Sequence, residues 1–121
     1  MDLSKIEKDL ISEIKLTSIQ AKLFLLIVTE GKKTPKEIAA KLGISVNEAS
    51  TICKQLIDLG SFIEITENEF EAMHPRFTAV NMYRKLCEKE KKEFKRNVTV
   101  DNIGVALEMP YDDARTKYNK N

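Results

Sequence analysis

The sequence, 121 residues long, predicts a mainly α-helical fold with one small β-hairpin. Its clearest signal lies at 42–60, where Gly43 can close one helix and Ser45 can cap the next, with Glu48 completing a capping box. Apolar and polar residues alternate on both sides of the polar turn at 67–69, which is typical of a hairpin. One more long helical pattern lies directly before the two helices that meet at Gly43. Three helices followed by a hairpin predict a winged helix-turn-helix.

Two helices are predicted before the pair of helices that meets at Gly43. An amphipathic helix spans about 3–15, with charged residues between its apolar positions. Those positions are Leu3, Ile6, Leu10 and Ile14. A second helix, at about 18–30, begins at a capping box of Thr17 and Gln20, and its apolar second half predicts a central place in the core. The next helix, the first of the pair, begins at the capping residue Thr34.

The helix at 46–59 has the features of a DNA-recognition helix. Its apolar stripe recurs at spacings of 3, 4 and 3 residues, and Gly60 ends it. The opposite face is short and polar, as a helix in the DNA major groove requires. The candidate DNA-contacting residues are Ser45, Asn47, Ser50, Thr51 and Lys54. Asn47 can pair with adenine and the hydroxyls can reach bases or phosphates, but the helix offers no arginine to grip guanine.

The residues after the hairpin are predicted to form helices that hold two copies together. One helix is expected over 78–96, with Thr78 as its cap, and a weaker one over 102–109 because Gly104 and Pro110 disfavour it. A polar tail follows. Apolar residues beyond the compact unit need cover, which a symmetric dimer would supply. The predicted dimerisation residues are Val80, Tyr83, Cys87, Phe94, Val98, Ile103 and Leu107.

The expected organisation is therefore a winged-helix domain at 1–75 and a dimerisation extension at 76–121. Within the first, the N-terminal helix spans 3–15 and the core spans 17–75. The spacing of the apolar residues in the extension leaves open whether they pack within one chain or across the dimer, and the dimer is the favoured interpretation.

Charge is distributed unevenly along the chain, although the formal net charge is only +1. Residues 34–74 sum to −4 and residues 75–96 to +5, so attraction to phosphates must come largely from outside the central motif. The candidate phosphate contacts are Lys32, Lys33, Lys36, Arg76 and Arg84. Four glutamates on the hairpin would repel the phosphates of a DNA backbone. They are Glu64, Glu67, Glu69 and Glu71.

The residue types argue against an enzyme, a metal site and a membrane protein. The single histidine, His74, can form neither a catalytic relay nor a metal site alone. Cys53 and Cys87 lie on helical apolar faces, as reduced core thiols do. No signal peptide or bilayer-spanning apolar run is visible, so a soluble cytoplasmic protein without a cofactor is expected.

The run at 16–23, Leu-Thr-Ser-Ile-Gln-Ala-Lys-Leu, resembles the opening helix of the TrmB-like archaeal transcriptional regulators, which begins with a similar leucine–threonine cap and an Ala-Lys or Ala-Arg pair. The similarity continues through 34–39, the glycine turn and 56–63, and covers about half of the chain, 16–75. It implies double-stranded DNA binding, usually as a dimer, with 46–59 as the reading helix. Full-length members add a sugar-binding C-terminal domain that this sequence lacks, so no small-molecule effector is expected.

Two functions remain open. The first is a homodimeric DNA-binding transcriptional regulator that reads a roughly palindromic site. The alternative is a winged-helix module for protein–protein contact within a transcription complex or another assembly, which the negative balance of 34–74 favours. A DNA binder indifferent to sequence is disfavoured by the net charge of +1.

Overall fold

The computed structural model of the protein describes residues 2–66 and 68–119. Within these ranges the fold is mainly helical with one two-stranded antiparallel sheet, which confirms the predicted class and is compatible with a winged helix. The elements in chain order are α1 (Leu3–Ile14), α2 (Ser18–Glu30), α3 (Pro35–Leu42), α4 (Val46–Asp58), β1 (Phe62–Thr66), β2 (Glu69–Ala72), α5 (Pro75–Lys89) and α6 (Val98–Asn119).

The starts of α2, α3 and α4 follow the predicted caps. In α2 the Thr17 hydroxyl accepts from the backbone N–H of Gln20 at 3.1 Å, and the Gln20 side chain accepts from Thr17 in return at 2.9 Å. The same reciprocal pair opens α3 at Thr34. The capping box predicted for α4 is only half formed. The Ser45 hydroxyl accepts from the backbone N–H of Glu48 at 3.0 Å, but within the described residues the Glu48 carboxylate accepts no bond from the N–H of Ser45 in return.

The hairpin is tied to the helices through the segment before α3. Phe62 pairs with Ala72 in the antiparallel ladder of β1 and β2. Lys33 and Phe70 also exchange two backbone hydrogen bonds, of 3.1 and 2.9 Å. This isolated bridge lies beside the two-stranded sheet and is a feature that the sequence analysis missed. As a result the hairpin is anchored to the segment between α2 and α3.

Helix α2 lies at the centre of the core, as its apolar second half predicts. Leu23, Ile27 and Val28 are fully buried, and the ring of Phe24 stacks on that of Phe62 with 6.2 Å between centroids. The helix packs against α1, α3, α4, α6 and β2. It therefore sets the position of the helix-turn-helix relative to the C-terminal helices.

The helix after the hairpin starts and ends earlier than the predicted range of 78–96. Its cap is the His74 side chain, whose Nδ1 accepts from the backbone N–H of Arg76 at 3.2 Å. Thr78, the predicted cap, lies one turn inside the helix and is buried. The chain leaves the helix near Lys91, which has a left-handed φ of 55°.

Helix α6 is much longer than the weak helix predicted over 102–109. It runs through Gly104, Pro110 and most of the predicted polar tail, and it packs on α1, α2 and α5. A Cβ at Gly104 would lie 3.0 Å from Cα of Arg76 and 3.1 Å from the carbonyl oxygen of Pro75. Glycine is therefore required here by the close approach of α5, which local helix preference does not reveal.

This packing changes the interpretation of three predicted dimerisation residues. Cys87, Ile103 and Leu107 are at most 2% exposed and are buried within the chain itself. The prediction that they need a partner chain fails, for Ile103 and Leu107 because α6 folds back onto α1 and α2, and for Cys87 because α5 is itself packed within the chain. Val80 and Tyr83 are partly buried against the core, whereas Phe94 and Val98 are exposed. The core is thus continuous across the boundary expected at 75/76.

Arg115 fastens the second half of α6 to the end of α2. Its guanidinium donates to the carbonyl oxygens of Val28, at 2.5 Å, and Ile27, at 3.1 Å. It also forms an ion pair with Glu71 on β2, and it lies 3.7 Å from the centre of the Tyr111 ring. Both charged side chains are almost buried, with 13% and 14% of their surface exposed. One arginine therefore joins α2, β2 and α6.

Candidate nucleic-acid interface

The candidate reading face lies on α4, opposite its buried stripe. Asn47, Thr51 and Lys54 are exposed and follow one another at spacings of four and three residues, which places them on one side of the helix. The buried residues are Ala49, Ile52, Cys53 and Leu56. An amide, a hydroxyl and an ammonium group therefore project together from the second helix of the helix-turn-helix.

The two serines predicted at this face are placed differently. The Ser45 oxygen accepts the capping bond, so its hydroxyl hydrogen is what remains to donate to a phosphate. Ser50 is half-buried at the edge of the stripe. Asn47, Thr51 and Lys54 are consequently the part of the predicted set that α4 presents most openly.

A side-chain contact that the sequence analysis missed fixes α4 against α2. Nε2 of Gln20 donates to Oε1 of Gln55 at 3.0 Å. Gln20 also completes the capping box of α2, so the start of that helix is tied to the exposed side of α4. The partners are 35 residues apart, and no local signal links them.

The lysines around the start of α3 do not all serve as predicted. Lys33 keeps only 13% of its side chain exposed and pairs with Glu30 at 3.2 Å, so it is not available to a phosphate as expected. Its backbone is also bridged to Phe70 of the hairpin, and its ion-pair partner Glu30 is the last residue of α2. Lys32 and Lys36 are exposed, and Lys36 forms no ion pair among the described residues.

The two arginines predicted to contact phosphates have partners elsewhere. Arg76 donates to the Glu108 carboxylate at 2.9 and 3.3 Å. Arg84 donates to Asn81, and its guanidinium lies 5.0 Å from the centre of the Phe94 ring. Both belong to α5, which packs mainly on α6 and α1 rather than on α4. The structure therefore does not bring them together with the reading face.

Helix α4 carries a net charge of −1. Its one lysine, Lys54, is outnumbered by the exposed carboxylates of Glu48 and Asp58. The hairpin is less acidic than predicted, because Glu71 turns inward to the Arg115 ion pair.

The other hairpin glutamates keep their predicted character only in part. Glu64 is exposed, and Glu69 is half-buried and accepts from the Thr66 hydroxyl at 2.9 Å. Glu67, the fourth of the set, lies outside the described residues. Among the described hairpin glutamates, Glu64 is therefore the one that keeps an exposed carboxylate to repel a phosphate.

The described residues around this face offer neither a metal site nor an activated thiol. Among the described residues, no group of three or more histidine, cysteine, aspartate or glutamate side chains could hold a metal ion. Burial raises the pKa of the Cys53 thiol to about 12, and the nearby charge of Glu64 adds to this effect, so the thiol is not an activated nucleophile. In the part of the chain that the structure covers, no helix combines the length and apolar character needed to cross a bilayer.

Comparison with known proteins gives no match: no protein-family model, no curated protein and no solved structure is detectably similar to this chain. The resemblance to TrmB-like regulators over 16–75 therefore stays a prediction.

Proposed function

We propose that this protein is a winged helix-turn-helix transcriptional regulator of the TrmB-like kind, which binds double-stranded DNA as a homodimer with α4 in the major groove. The observation that carries the proposal is the exposed polar row of Asn47, Thr51 and Lys54, set on α4 directly opposite its buried stripe.

Each residue of the row has a defined chemical role. The Asn47 amide offers a donor and an acceptor that match the major-groove edge of adenine. Thr51 can donate to a base or a phosphate, and Lys54 supplies a positive charge with no ion-pair partner among the described residues. Lys36 at the start of α3 and Lys32 before it are exposed cations for the flanking backbone.

Lys36 and Lys54, the two exposed lysines of this region that form no ion pair among the described residues, set the expected salt dependence. With these two per protomer, a dimer would neutralise about four phosphates, and the logarithm of affinity should fall with that of salt concentration with a slope of about −4. A shallow slope would mean that fewer lysines reach the backbone.

The test is a fluorescence-anisotropy titration, first with random duplex DNA at several salt concentrations and then with sites selected from a random pool. The double variant Asn47→Ala/Lys54→Ala should lose about tenfold or more in affinity for the selected site, because a good side-chain–base contact contributes about 1–3 kcal/mol. Its salt slope should become shallower by about 1 per protomer.

The matched control is Lys8→Ala/Ser12→Ala, which removes one lysine and one polar group from the exposed side of α1. It should bind as the parent protein does. Equal binding by the α4 variant and the control would show that α4 is not the reading helix.

Exposed side chains on the hairpin favour a second candidate, a module for protein–protein contact. Ile63 and Ile65 on β1 are 43% and 40% exposed, and they alternate with the exposed carboxylate of Glu64. If no duplex DNA is bound even at low salt, this function replaces the first. Ile63→Asp/Ile65→Asp should then abolish capture of the partner while leaving the fold intact.

A further inference from the structure

The outer side of α6 carries an apolar stripe that no described part of the chain covers. Val98, Val105 and Met109 are 62%, 53% and 69% exposed. Their spacings of seven and four residues align them on one side of the helix, opposite the buried Ile103 and Leu107. The inner side of α6 belongs to the core, so the outer stripe is not needed for folding.

Charged pairs border the stripe. Arg76 pairs with Glu108 at 2.9 Å, and Arg96 pairs with Asp101 at 2.9 Å. Arg76, Arg96 and Asp101 also line a shallow depression together with Val105. An apolar centre with a polar, charge-balanced rim is the usual anatomy of a protein interface.

Unlike charges lie beyond the two ends of the stripe. Lys95 lies three residues before Val98, and Asp112 lies three residues after Met109, with Asp113 beside it. Among the described residues, neither aspartate forms an ion pair, and Lys95 forms only a loose one of 3.7 Å with an exposed glutamate. A surface that is basic at one end and acidic at the other complements a reversed copy of itself.

We propose that this stripe is the docking surface for a second copy of the chain, with the two α6 helices antiparallel across a two-fold axis. In that arrangement Val98 packs on Met109 of the partner, and Lys95 lies beside Asp112 of the partner. The two-fold axis passes near the midpoint of the stripe, where Val105 of each copy lies close to the partner. Opposed helix dipoles add to the attraction.

The size of the contact sets its strength. The stripe is about 16 Å long, from the rise per residue of a helix. A standard interface buries about 800 Å² per partner, and one helix pair supplies only part of that, so we expect a dissociation constant on the order of micromolar. This surface would serve the homodimer proposed above, but its test needs no DNA.

The first experiment is sedimentation equilibrium of the full chain across the micromolar range. Val105→Asp should weaken dimerisation by about tenfold or more, because it places a carboxylate at the centre of the interface. Val46→Asp is the matched control, since it makes the same substitution at an exposed valine at the start of α4, and it should leave the association unchanged. A monomer at all concentrations, or a dimer that Val105→Asp leaves intact, would overturn the proposal.

The second experiment fixes the orientation by disulfide formation between variants that each carry one introduced cysteine at an end of the stripe. Val98→Cys and Met109→Cys should each fail to cross-link alone but should cross-link when the two variants are mixed. A parallel pair would give the reverse pattern and would refute the antiparallel arrangement. The native Cys53 and Cys87 are buried and do not compete. A monomer that still binds DNA would refute the proposed α6 interface without contradicting the proposal that α4 reads DNA.

Discussion

The Arg115 contact gives the sharpest prediction of stability. Arg115→Met keeps much of the side-chain volume but removes the guanidinium from Glu71 and from the carbonyl oxygen of Val28. The Ile27 carbonyl oxygen also loses its bond from the guanidinium, but it keeps a second hydrogen bond, from the N–H of Gly31 at 2.9 Å. Separating a buried ion pair costs about 3–5 kcal/mol, and we expect about 3 kcal/mol because the Glu71 carboxylate keeps its bond from the N–H of the next residue.

The measurement is urea unfolding followed by circular dichroism. With a slope of about 2 kcal/mol per molar urea, a loss of 3 kcal/mol lowers the midpoint by about 1.5 M. Arg84→Met, at an exposed arginine of α5, is the control and should change the free energy of unfolding by less than about 0.5 kcal/mol.

A double variant separates the ion pair from simple packing. Glu71→Met/Arg115→Met replaces both charges with apolar groups and should be more stable than Arg115→Met alone, because no buried carboxylate loses its cation. If the single variant shifts the midpoint no more than the Arg84 control does, or if the double variant is the less stable one, Arg115 does not hold α6 to α2 as described.

Two further changes test other parts of the fold. Gly104→Ala should lower the thermal midpoint, at a cost of about 1–3 kcal/mol, since the new Cβ would press on the backbone of Arg76 and Pro75; a raised midpoint would show that α5 and α6 do not approach so closely. The Cys53 thiol, whose pKa burial raises from 9.0 to about 12, should not react with a thiol reagent in the folded protein near neutral pH. Because the unfolded thiol ionises first, its contribution to stability is complete below pH 9 and falls as pH rises toward 12, so Cys53→Val should flatten the alkaline decline of the urea midpoint.

The elements that the sequence predicts well are those with local signals. Each cap accepts a hydrogen bond from a backbone N–H only three residues further on, as Thr17, Thr34 and Ser45 do. The starts of α2, α3 and α4 could therefore be predicted from neighbouring residues in the sequence. The polar row on α4 could be predicted in the same way, because the helical period alone separates it from the buried stripe.

What the sequence analysis missed depends on distant contacts or on competing preferences. Gly104 and Pro110 argue against a long helix, and only the burial of that helix against α1 and α2 overrides them. The glutamate that pairs with Arg76 lies 32 residues further on and has no local signal. Glu30, by contrast, precedes Lys33 by three residues, a spacing that could have indicated their ion pair.

The position of α6 also bears on the order in which the chain can fold during translation. Arg115 bonds a carbonyl 87 residues earlier, and Asn97 bonds Glu13, 84 residues earlier. A nascent chain that has emerged only as far as the hairpin already contains α4, yet the sides of α1 and α2 that α6 covers still face water. Contacts between such distant residues form slowly, because a long loop must close first. The part of the chain that contains α4 therefore emerges from the ribosome before the helix that completes the core.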